Sequence, residues 1–222
     1  MVMLNLLRKD ILVQKHTIWF ALGYSIFVFF AFSNKTFAPF VYIMGAVAIS
    51  YVLILSAVQS ELKNNSDLVL LSLPVKRQEV VAAKYLAILV FILLSLITMG
   101  IIGLIFMQSP LPFPTRLINW QDAAITLVSV ILMTSIYLPA YYKLGGKWLQ
   151  VINIVLFMII FFAPSTIVGY LNAHQQDQGV QWLVQTVVQN PYLASWLGII
   201  CVAGLMLISF LISLNIYRKQ DL

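Results

Sequence analysis

Six apolar runs free of Asp, Glu, Lys and Arg, at residues 17–32, 39–57, 85–107, 123–141, 149–170 and 192–217, limit what this chain can become. About 20 apolar residues in a helix cross a hydrocarbon core about 30 Å thick, so each run is read as a transmembrane helix. The first run is the shortest, and the residues ahead of it extend it into the interface. Trp19, Trp148, Tyr170 and Tyr192 stand near run ends, where an apolar ring with a polar edge suits the headgroup level. Only 9% of the 222 residues are charged, against about 25% in soluble domains. The expected fold is therefore all-α and polytopic: a single transmembrane domain over 1–222 with six spans.

Orientation follows from the cations. Arg8, Lys9 and Lys15 precede the first run, as in a signal peptide. No small-residue cleavage pattern follows Phe32 and further spans come after it, so the run is read as an uncleaved first helix. With the N-terminus cytoplasmic, only Lys35 and Arg116 of the 13 Lys and Arg residues lie outside. The positive-inside rule then fixes the topology, and an even span count returns the C-terminus to the cytoplasm. The net charge of +6 thus reflects topology rather than a nucleic-acid surface.

Asp10, Glu61, Asp67, Glu79, Asp122, Asp177 and Asp221 all fall in loops or at run ends. Ion-coupled carriers and voltage sensors place ionisable groups inside the membrane. With none at a span centre, the energy source is expected outside the bilayer, and an intramembrane catalyst is disfavoured equally. The lone Cys201 excludes a disulfide framework, and His16 and His174 fall on opposite sides of the membrane, so they share no metal. Asn34-Lys35-Thr36 matches a glycosylation sequon in a loop too short to use it. Residues 144–148 lack the first Gly and the hydroxyl of a phosphate-cradling loop, and Gly145-Gly146 is read as a tight cytoplasmic turn. Ser95, Thr98, Ser129, Thr134, Asn153, Ser209 and Ser213 lie within spans, either bonding helices together or lining a path.

Three connecting segments carry content. In residues 3–16, Leu4, Leu7 and Ile11 share one helical face, with Arg8 and Lys9 on the others. This is a basic amphipathic segment, either lying in the interface or extending the first span. In residues 171–191, an apolar helix ends at Asn190-Pro191 and either anchors the loop or caps an exit. The longest inside loop, 59–84, is the most informative. Ser66 or Asp67 can cap a short helix, Leu68, Leu70, Leu71 and Leu73 follow, and Pro74 ends it. A second helix from Lys76 leads into the third span. Exposed leucines held in water mark a binding surface, unless they lie back on the membrane or on neighbouring spans.

Residues 67–85, and Leu73, Pro74, Val75, Lys76, Arg77, Glu79, Lys84 and Tyr85 in particular, resemble the segment between spans two and three in permease subunits of type-2 ATP-binding-cassette exporters. The six spans, basic start and inside termini fit this family along the chain. The resemblance implies that the short helix is a coupling helix docking on a separate ATPase subunit, and that two permeases and two ATPases form the working unit. ATP and Mg would be bound by the partner, with no cofactor, metal or catalytic residue in this chain. Leu68 and Leu71 would anchor the contact, Pro74 would end the helix, and Glu61, Asp67, Lys76, Arg77 and Glu79 would form a charged rim. Leu4, Leu7, Arg8, Lys9 and Ile11 would form the membrane-interface helix. The expected protein is an exporter permease in the cell membrane of a bacterium, moving a peptide, lipid or amphipathic drug. The alternative is a non-transporting assembly or immunity protein that binds a soluble partner through the same loop.

Overall fold

A computed structural model describes residues 2–32, 40–64, 76–108, 116–174 and 177–219, and every element among them is a helix. They are α1 (Val2–Val13), α2 (Lys15–Ala31), α3 (Val41–Lys63), α4 (Arg77–Met107), α5 (Trp120–Ala173), α6 (Gln178–Gln189) and α7 (Pro191–Arg218). Val41–Lys63, Arg77–Met107, Trp120–Leu144 and Pro191–Arg218 are long and apolar enough to cross a membrane. The expected first and fifth spans correspond to the shorter apolar helices Thr17–Ala31 and Trp148–Ile159.

Local chemistry sets the boundaries. Asn119 and Asp122 form a capping box at the start of α5, the Asn119 backbone N–H donating to Asp122 Oδ2 at 2.9 Å. Each satisfies a donor that the first helical turn leaves open. Pro191 occupies the first turn of α7, where its missing N–H costs nothing. The helix is interrupted by a turn at Gln14, so α1 and α2 are separate helices.

Side chains define the register. Along α3 and α4, Gly45 faces Met99, Ser50 bonds Ser95 at 2.7 Å and Glu61 pairs with Lys84, so the two helices run antiparallel. Between α5 and α7, Trp120 meets Trp196, Ser135 meets Ser209, and Tyr142 meets Tyr217, a parallel pair. Arg77 reaches Tyr217, making α4 antiparallel to α7. It follows that α3 and the start of α5 run in the same direction.

The hydroxyls form directed chains. Pro139 has no N–H to give the Ser135 carbonyl four residues back, and the Ser209 hydroxyl fills that place at 2.7 Å. With its proton so used, Ser209 accepts from the Tyr85 hydroxyl at 2.7 Å, and Tyr85 in turn accepts from Ser213 at 3.0 Å. Three helices are thus joined by one run of hydrogen bonds. Ser95, Ser209 and Ser213 therefore resolve the alternatives left by the sequence in favour of helix-to-helix bonding.

Helical backbone continues through Gly145-Gly146, where the sequence suggests a tight turn. A straight run of the 54 residues of α5 would extend about 81 Å. It does not run straight. Glu61 accepts from Tyr141 at 3.3 Å, and Tyr51, ten positions back along the parallel α3, bonds Asn153. On a straight α5, Asn153 would lie about 18 Å beyond Tyr141 in the opposite direction. The helix direction therefore reverses between Tyr141 and Asn153, and a Gly pair is a common place for a helix to bend.

The core runs between these helices. Tyr42, Ala46, Ile49 and Leu53 line the buried face of α3 at helical spacing, while Leu93, Ile97, Ile101 and Leu104 form an exposed apolar stripe on α4. A helix apolar on both faces fits a membrane environment.

Candidate functional site

The functional candidates gather at one end of the bundle, around the two helix ends that flank residues 65–75. Glu61 occupies the last turn of α3 and is only 3% exposed. It is bonded by Lys84 of α4, by Lys9 of α1 at 3.1 Å and by the Tyr141 hydroxyl of α5 at 3.3 Å. A buried carboxylate costs several kcal/mol in lost hydration. Here three donors from three other helices offset that cost. Lys84 also lies over the Tyr141 ring, 5.5 Å from its centroid, an arrangement that favours a cation.

Asp10 completes the cluster. It is 7% exposed, and Lys9 approaches it at 3.8 Å. Burial raises its pKa above the ordinary 3.8; Lys84 and Lys9 oppose the rise and Glu61 adds to it. Asp10 and Lys84 also border a small void of about 10 Å³, about the space one water requires. Ile11 packs against the core, so α1 is held to the bundle by both charge and apolar contact.

On the far side of the 65–75 segment, Arg77 donates from Nη1 to the carbonyls of Tyr217 at 3.1 Å and Arg218 at 2.6 Å. These are terminal carbonyls of α7, which lack helical donors and carry the negative end of the helix dipole.

Of the rim expected from sequence, Lys76 is exposed, Glu79 is half-buried and Arg77 is held by α7. Glu61 requires correction: it is not a rim residue but the buried hub of an ion cluster. Asp67, Leu68, Leu71 and Pro74 lie outside the described residues. On α1, Arg8 is exposed, Lys9 and Ile11 are half-buried, and the side chains of Leu4 and Leu7 lie outside the described set. The sequence reading missed Asp10, Lys84 and Tyr141 as a group. Its signal was opposite charges at the facing ends of consecutive spans, Glu61 and Lys84.

Beside this cluster, a cavity of about 550 Å³ lies between α3 and the two limbs of α5, lined by Gln59, Leu62, Lys63, Tyr137, Leu149, Gln150 and Asn153. Among the described residues, no three His, Cys, Asp or Glu side chains come together to hold a metal.

The opposite end is closed differently. Arg116 forms a two-pronged pair with Asp122, at 2.7 and 2.8 Å, and its carbonyl accepts from the Tyr42 hydroxyl at 2.6 Å. The Asp122 hydrogen bonds hold the guanidinium pKa above its usual value.

Residues 5–218 match the family model described as ABC-2 family transporter protein. No curated protein and no solved structure gives a match.

Proposed function

The chain belongs to the ABC-2 transporter family, a family of membrane permease components, and on that premise we propose that it is the permease subunit of an ATP-driven exporter. Its loop between α3 and α4 receives a separate ATPase subunit, which binds ATP and Mg and hydrolyses the nucleotide. Two copies of the permease, or one with a related chain, assemble with two ATPases. Six spans cross the cell membrane of a bacterium, with both termini cytoplasmic. The cargo is a peptide, a lipid or an amphipathic drug.

The observation that carries this reading is the mounting of the loop. Glu61 and Lys84 tie together the helices on either side of it, while Lys9 and Tyr141 extend the tie to α1 and α5. Arg77 fastens the exit of the loop to the end of α7. Force applied to residues 65–75 therefore reaches five helices through short polar contacts, as a bundle driven from outside requires. Exposed Lys76 and half-buried Glu79 supply charges for partner choice.

The test is Leu68→Asp with Leu71→Asp in the full chain. Co-purification of the ATPase and transport should both fall while membrane insertion persists. Undiminished co-purification would remove the docking claim. Docking without any transport, across peptide, lipid and drug cargoes in proteoliposomes, would favour the non-transporting reading.

A further inference from the structure

We propose that the cavity between α3 and the two limbs of α5 binds the anionic headgroup of an amphiphile. As a cargo site this rests on the permease reading; as a binding site it stands on the cavity alone. Its volume of about 550 Å³ lies within the range of small-molecule pockets, about 300–1,000 Å³.

The lining is rich in donors. Tyr137 is 1% exposed and borders the cavity, so its phenol is placed to offer a donor there. Asn153 adds a second. Tyr51 bonds its side-chain oxygen and lies 3.2 Å from its backbone oxygen, which leaves the amide nitrogen as the free end of the group. Lys63 is exposed at the cavity and has no ion-pair partner among the described residues.

Among the described residues, no carboxylate lines the space. Glu61, two residues from Lys63, is turned to Lys84, Lys9 and Tyr141 and does not neutralise it. One ammonium, one phenol and an amide nitrogen suit phosphate or carboxylate oxygens, whereas a cationic head would face Lys63 with no counter-charge among the described residues. Leu62 and Leu149 give the same cavity apolar wall, which fits a tailed molecule better than a free anion.

The experiment uses the full chain in nanodiscs of zwitterionic lipid, titrated with dodecyl phosphate, dodecyltrimethylammonium and inorganic phosphate against empty discs. Dodecyl phosphate should bind saturably and about tenfold tighter than either other probe. Lys63→Gln and Tyr137→Phe should each weaken it about five- to tenfold, while Lys143→Gln should leave it unchanged. Tyr137→Phe removes one oxygen and keeps the buried ring, a near-isosteric change that keeps the comparison interpretable. Equal affinity for the cationic probe, or no effect of both variants, overturns the proposal. Equal affinity for inorganic phosphate overturns the tailed ligand. Headgroup selectivity that survives when no ATPase co-purifies would instead sink the exporter reading and leave this one standing.

Discussion

Replacing Glu61 with Gln leaves Lys84, whose side chain is 9% exposed, as a buried cation without its nearest counter-charge. Breaking a buried ion pair from one side costs about 3–5 kcal/mol, so the variant should melt well below the parent in detergent. Replacing both partners, Glu61→Leu with Lys84→Met, removes the lone charge and should recover much of that loss. Failure of the double variant to recover would mean that Lys9 and Tyr141 matter more than the pair. Asp10 gives the opposite sign. Its folded pKa lies above the ordinary 3.8 because burial disfavours the charge, so its contribution is most favourable at low pH and is lost as pH rises through the folded value. Asp10→Asn should therefore raise the melting temperature at neutral pH, with the gain shrinking as the pH approaches 3.8; a pH-independent change would show that its charge is not the cause. Sequence placed these acids at helix ends, which is where they lie. It could not show that Glu61 points inward, because a charge beside a loop looks the same whether its partner is water or a lysine 23 residues away.

Helix packing places its own demands. Gly103 lies so close to Tyr42 that a Cβ there would land on the phenol, and Tyr42 is fixed by its bond to the Arg116 carbonyl. At Gly45 the obstructing group is the end of Met99, a flexible chain that can move aside. Gly103→Ala should thus cost about 1–3 kcal/mol and Gly45→Ala less, a ranking that thermal unfolding of the two variants checks. The reversal of α5 shows where sequence reading ran short. Apolar length predicts separate spans at 123–141 and 149–170, with Gly145-Gly146 as the turn between them; the structure has a long apolar helix at Trp120–Leu144 and a shorter one at Trp148–Ile159. The helical backbone across the glycine pair was not legible, since glycine is compatible with a turn and with a bent helix alike. Nor was the pairing of Ser209 with the carbonyl vacated by Pro139, which depends on a neighbour 70 residues further along the chain.

At the scale of the molecule, the two chain ends meet the same face. Lys9 of α1 and Arg218 of α7 lie beside Glu61 and Arg77, while Arg116 and Asp122 close the opposite end. Single cysteines introduced in a Cys201→Ser background should report this. Positions 63 and 219 should be labelled by an impermeant reagent from one side of the membrane, and position 189 from the other. Labelling of 63 and 189 from one side would contradict the six-span topology. The constant register of α3 against α4 also provides a gauge. Ser50 and Ser95 bring their oxygens to 2.7 Å at full burial, a separation that suits the short reach of a disulfide. Cysteines at both positions would staple the two spans at mid-depth, and whether turnover survives the staple would reveal if these helices slide during a cycle or travel as one.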